Sequence, residues 1–126
     1  MSNDTFLNAI WDGIIEVVKS EVENGANVNC VDYKTDGQPT ALILAINAGR
    51  EEIAEYLISK GANVNGKDSN GNTCLFDLRM CKNSGIMAKL LIENGIDVNI
   101  RNNFGFMALK FCDSEVSAIL KNAGAK

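Results

Sequence analysis

Four cysteines, Cys30, Cys74, Cys81 and Cys112, are the side chains of this 126-residue chain best suited to covalent or metal chemistry. A nucleophilic thiol needs a base to take its proton, and structural zinc needs thiolates or imidazoles at close spacing. The chain has no histidine, and its cysteine spacings of 44, 7 and 31 residues hold no Cys-x-x-Cys pair. Neither a Cys–His couple nor a zinc knuckle can be built. Cys74 and Cys112 fall at helix positions that pack small apolar side chains, which predicts buried, inert thiols. Asp77, Asp113 and Glu115 are acid/base candidates, but nothing in the pattern sets two of them in an apolar cleft, so solvated or capping roles are expected. The run Asp68 to Asn72 alternates carboxylate and amide oxygens like a calcium loop. Thr73 stands where such a loop needs glycine, however, and Arg79 where it needs a bidentate glutamate, so an ordinary turn is expected. The eleven glycines lack the Gly-x-Gly-x-x-Gly spacing of a phosphate cradle. The expectation is a non-enzymatic chain with no cofactor and no metal. A Cys-dependent hydrolase is the remote alternative.

The elements that carry these residues repeat. Gly25-Ala26-Asn27-Val28-Asn29 stands 36 residues before Gly61-Ala62-Asn63-Val64-Asn65, and Gly95-Ile96-Asp97-Val98-Asn99 follows 34 residues after that. A fourth copy begins at Gly124-Ala125. Before the best copy, Ile53, Ala54, Leu57 and Ile58 form one apolar helical stripe opposite Glu51, Glu52, Glu55, Ser59 and Lys60. The two glutamates suit the positive start of a helix, Lys60 suits its negative end, and Gly61 can adopt the left-handed conformation that stops it. Met87, Ala88, Leu91 and Ile92 repeat the stripe.

In chain order, Asp4 is the expected N-cap of a helix Thr5 to Asp12, with Gly13 breaking it and a second helix running from Ile14 to Asn24-Gly25. Glu21 occupies the position of Leu57, the kind of change a terminal repeat makes where one side faces water. A connector over residues 30–40 turns at Asp36-Gly37, and Thr40 caps a helix Ala41 to Ala48. Thr73 is the matching N-cap for a helix Cys74 to about Cys81, followed by a turn Lys82-Asn83-Ser84-Gly85. The fourth copy loses about one helical turn and lacks a polar N-cap at Met107, so it is expected to fray first. Phe6, Phe76 and Phe111 are expected to pack between repeats.

Sixteen acidic and twelve basic side chains give a net charge of −4, which argues against a protein that coats phosphate backbones. Residues 1–60 carry ten acidic and four basic groups (−6) and residues 61–126 six and eight (+2), so a basic partner should meet the N-terminal half. The chain opens without a signal peptide or lipidation motif and holds no run of about 20 apolar residues. Reduced cysteines, a cytoplasmic location and no membrane partner are expected.

Helix, glycine stop and extended connector at a period of 34 to 36 residues resemble the ankyrin repeat. The family's Thr-Pro-Leu-His-x-Ala signature survives as Thr40-Ala41-Leu42-Ile43-Leu44-Ala45, less well as Thr73-Cys74-Leu75-Phe76-Asp77-Leu78, and weakly as Met107-Ala108-Leu109-Lys110-Phe111-Cys112. Its Pro and His are missing from every copy. The resemblance implies an all-α repeat fold, an ankyrin-repeat solenoid of stacked antiparallel helix pairs with short β-hairpin-like connectors, in one domain with repeats at about 1–31, 32–67, 68–101 and 102–126. It also implies a protein-binding concave face made by connector tips and first helices. Carried over by position, that face holds Trp11, Asp12, Tyr33, Lys34, Asn47, Ala48, Ser69, Asn70, Asn72, Met80, Cys81, Asn103, Phe104 and Phe106. The expected partner is another protein, with a basic patch, held by a monomer; nucleic acid is not expected. A narrower reading is an inhibitor or immunity-type protein that neutralises a basic enzyme or toxin.

Overall fold

The computed structural model describes residues 3–126. Helix α1, Asp4–Asp12, ends at Gly13, whose φ of +79° only glycine adopts without strain. It starts one residue earlier than the sequence predicts: Asn3 is the cap position, it makes no side-chain cap bond, and Asp4 lies in the first turn near the positive helix end. Helix α2, Ile15–Glu23, follows after a two-residue turn. Thr40 caps α3, Ala41–Asn47, as expected, its hydroxyl accepting the Ile43 N–H at 3.2 Å. Helix α4 spans Glu51–Ser59.

The third and fourth units depart from this pattern. Cys74–Met80 is wound as a 3-10 helix, closed from its first turn by the Phe76 N–H donating to the Thr73 carbonyl at 3.1 Å. The Thr73 hydroxyl therefore caps nothing, and it lies fully buried without a hydrogen-bond partner. The following turn is shorter than expected, and α5, Ser84–Glu93, already includes Ser84 and Gly85. In the fourth unit a four-residue 3-10 helix, Ala108–Phe111, replaces a full first helix. Helix α6, Ser114–Asn122, does have a polar cap: Asp113 accepts the Val116 N–H at 2.8 Å.

Within each of the first three units the two helices pack together, and across units they form two rows. The first row is α1, α3 and the two 3-10 helices; in the second, α2 touches α4 and α5 touches α6. Leu57, Leu91 and Leu120 occupy one repeat position and are all fully buried, whereas the equivalent Glu21 is half-buried at the array's edge. Each such leucine supplies about 1.5–3 kcal/mol by leaving water. Phe6 and Phe76 are both buried. Phe111 meets Phe76 from the fourth unit, as expected, but stays 37% exposed on its short 3-10 helix.

Three series of polar contacts tie each unit to the next. The last asparagine of each glycine-led segment docks on the following one. Asn29 accepts the Asn63 N–H at 2.7 Å and donates to the Gly61 carbonyl at 3.4 Å. Asn65 does the same to Asp97 (2.8 Å) and Gly95 (3.1 Å), and Asn99 to Lys126 (3.0 Å) and Gly124 (3.1 Å). At the connector tips, Ser69 N–H donates to the Gly37 carbonyl (2.7 Å) and Asn103 N–H to the Asn70 carbonyl (2.9 Å). At the interhelical turns, Arg50 holds the Trp11 carbonyl with two donors at 3.0 and 3.1 Å. Glu51 accepts from the Asn83 backbone and side chain, both at 3.0 Å.

Candidate protein-recognition surface

Each connector tip is shaped by one residue. Asp32 accepts the Lys34 N–H (3.1 Å) and the Thr35 hydroxyl (2.6 Å); Asp68 accepts the N–H groups of Asn70 (2.9 Å) and Asn72 (3.0 Å). Asn102 accepts those of Phe104 (2.9 Å) and Phe106 (3.0 Å). A short polar side chain that bonds its own backbone fixes a turn without help from a core. The three positions are equivalent, and the calcium-like look of Asp68 to Asn72 comes from this role: its carboxylate oxygen is turned onto backbone N–H groups. Among the described residues no three Cys, Asp or Glu side chains gather as metal ligands.

Fixed tips leave the next side chains in water. Tyr33 is 74% exposed and Phe104 67%, while Trp11 at the end of α1 is 52% exposed and Met80, at the end of its 3-10 helix, 53%. Asp12, Ser69 and Asn70 are exposed as well. Hydrogen bonds from tip to tip join the three connectors that carry Tyr33, Ser69, Asn70 and Phe104. Other expected surface residues serve the scaffold. Asn103 uses both its backbone and side-chain nitrogens on the preceding tip, donating to Ser69 at 2.9 Å, and Asn72 accepts the Asn102 side chain at 2.9 Å. Lys34 is exposed but pairs with Asp4 at 2.7 Å, which raises its pKa through that hydrogen bond. Asn47 and Ala48 are half-buried. Cys81 is buried, its Sγ 3.9 Å from the Ile46 carbonyl, and so offers no surface.

Phe106, 42% exposed, belongs to a second cluster. Its ring meets Phe111 edge-on at 6.1 Å, Phe111 lies 6.0 Å from Phe76, and the Lys110 ammonium sits 4.9 Å above the Phe106 ring. Asp77 lies beside Phe76 and Phe111 in a small cleft. Partial burial raises its pKa, with Arg79 opposing and Asp68 reinforcing the shift.

The pattern of aromatic and turn residues does not reveal a cleft of about 250 Å³ at the N-terminal end of the face. Leu7 and Leu44 make its floor, Trp11 one wall, and Asn8, Asp12, Asp32 and Thr35 its polar rim. Leu7 and Leu44 lie on two successive first helices, α1 and α3, so only stacking brings them together.

The thiols stay protonated. Burial pushes the Cys74 pKa from 9.0 up to about 12 and those of Cys81 and Cys112 up to about 11, and it raises that of Cys30. Cys30, Cys74 and Cys81 are buried and Cys112 is half-buried, so no thiolate stands ready to attack.

The model of ankyrin repeats (3 copies) matches residues 6–111. Relatives include alpha-latrotoxin-Lg1a of Latrodectus geometricus, 37% identical over 119 residues, 90% of this chain and 8% of that protein. The ankyrin repeat protein FPV219 of fowlpox virus is 36% identical over 74 residues, 59% of this chain and 17% of its own length. An ankyrin repeat-containing protein of Treponema pallidum is 31% identical over 107 residues, 84% of this chain and 35% of its length. The chain therefore spans between 8% and 35% of these relatives. With paired helices stacked in two rows, glycine-stopped units and a family match over most of its length, this chain belongs to the ankyrin-repeat family of protein–protein interaction modules.

Proposed function

We propose that the chain, acting as one monomeric body of four units at about 1–31, 32–67, 68–101 and 102–126, holds a partner protein against its connector tips and first helices, and that it does so without catalysis. The observation that carries this is the row of solvent-exposed Trp11, Tyr33 and Phe104 on elements that are already hydrogen-bonded to one another. Large side chains on a fixed scaffold bind with little ordering cost, and Trp and Tyr are the side chains that most often dominate binding energy. The mechanism is occupancy. Protonated, mostly buried thiols support both a non-enzymatic role and a reducing, cytoplasmic setting. No helix among the described residues is long and apolar enough to cross a membrane. The excess of acid in residues 1–60 supports a partner with a basic patch there rather than a nucleic acid.

The test is capture of a partner from a native extract by the unmodified chain, followed by variants on both sides of the array. Tyr33→Ala and Phe104→Ala should each weaken that complex by about 2 kcal/mol or more, with Glu55→Ala and Lys89→Ala leaving it unchanged. Loss of binding in the outer-helix variants alone would place recognition on the opposite face.

A further inference from the structure

The cleft between α1, the first connector tip and α3 has a composition unlike the rest of the surface. Its lining combines two leucines, the chain's single tryptophan and two carboxylates. Neither carboxylate is in an ion pair among the described residues. Asp12 makes no hydrogen bond or ion pair among the described residues, and Asp32 accepts only the uncharged Lys34 N–H and Thr35 hydroxyl, one on each oxygen. The neighbouring cations have other partners: Lys34 pairs with Asp4, though its charge also acts on Asp32; Arg50 donates to the Trp11 carbonyl beside Asp12; and Lys19 lies over the Tyr56 ring. No Lys or Arg lines the cleft.

At about 250 Å³ it is smaller than the roughly 300–1,000 Å³ of small-molecule sites. One long side chain fits it better than a metabolite does. A guanidinium on an aliphatic stem matches each wall: the stem lies on Leu7 and Leu44, the planar head stacks on Trp11, and its N–H donors reach the free oxygen lone pairs of Asp12 and Asp32. A lysine would satisfy the charge but neither the stacking nor the fork of donors as fully.

We infer that this cleft is the receptor for a single arginine side chain projecting from the partner protein. The inference rests on the proposed concave-face reading and names the chemistry of one part of it.

Because Trp11 is the only tryptophan, its indole reports the cleft without ambiguity. The full chain, labelled with nitrogen-15, is titrated with the capped tripeptide Gly-Arg-Gly and with its citrulline counterpart, which has the same shape and no charge. The arginine peptide should shift the Trp11 indole N–H and the amides of Asn8, Asp12 and Thr35, and should bind at least about tenfold more tightly than the citrulline peptide. Asp12→Asn should remove that preference with the thermal midpoint unchanged, since the Asp12 side chain is exposed and its carboxylate has no hydrogen-bond partner among the described residues. Equal binding of the two peptides, shifts confined to other residues, or unmoved cleft resonances at up to roughly 20 mM peptide would overturn the inference. The two readings fail separately. Loss of a captured partner in Tyr33→Ala but not in Trp11→Ala or Asp12→Asn sinks the arginine receptor and leaves the face. Arginine-selective shifts with normal capture by Tyr33→Ala and Phe104→Ala do the reverse.

Discussion

Asn65 shows how much a single side chain contributes when it bridges two repeats. Its amide accepts from one backbone N–H and donates to one carbonyl of the next unit, and its own N–H is fixed by Asn63 at 3.0 Å. Asn65→Ala removes both bridging bonds and should cost about 1–2 kcal/mol, at roughly 1 kcal/mol net for each. Asn65→Asp keeps the acceptor, loses the donor and brings a second carboxylate towards Asp97, so it should cost at least as much; urea midpoints of the two variants decide. An Asn65→Ala midpoint unchanged from the parent would mean that water replaces the bridge at no loss. The sequence displays these asparagines in the first three copies, and the glycine stops are fully legible in all four: Gly25, Gly61, Gly95 and Gly124 all take positive φ. What it conceals is purpose. The groups that Asn29, Asn65 and Asn99 grip lie 25 to 34 residues away on the backbone, which carries no letter of its own.

Helix type is where local pattern and structure part company. Thr40 and Thr73 stand at the same repeat position before similar apolar runs, and sequence reasoning gives both the same capping role. Only Thr40 performs it, since the 3-10 winding of Cys74–Met80 satisfies the first free N–H with the Thr73 carbonyl instead. A seven-residue 3-10 run is long for its class. The third unit places Leu78 where α3 has Ala45, and both are buried, so a bulkier side chain is accommodated there. Periodicity does not separate i+3 from i+4 closure over seven residues. The matched substitutions follow. Thr40→Val should cost about 0.5–2 kcal/mol through loss of a cap, whereas Thr73→Val removes a buried hydroxyl with no partner and should be neutral or stabilising. Equal destabilisation in thermal melts would show that the Thr73 hydroxyl has an acceptor or donor in solution.

Across the whole molecule the four thiols act as gauges of its integrity. Their raised pKa values mean that folding holds them neutral, so the folded state keeps its full advantage below pH 9. That advantage is lost as pH rises from 9.0, where unfolded thiols ionise, towards about 12, the folded value for Cys74. Native chain at pH 8 should therefore alkylate slowly, half-buried Cys112 first and Cys74 last, with all four reacting together once urea unfolds the array. Rapid labelling of Cys74 in native conditions would reveal opening of the third unit on its own. The repeat architecture was legible from the sequence because it recurs; the cleft was not, because Leu7 and Leu44 meet only through stacking. The asparagine bridges carry a consequence for ancestry. What each one grips is main chain, and the residue supplying the gripped N–H changes from Asn63 to Asp97 to Lys126 without altering the geometry. At this contact an incoming unit needs no compensating change in its neighbour. Duplication, loss or exchange of a unit is thus available to the gene in one in-frame event, and the number of units can drift while specificity evolves separately at the tips.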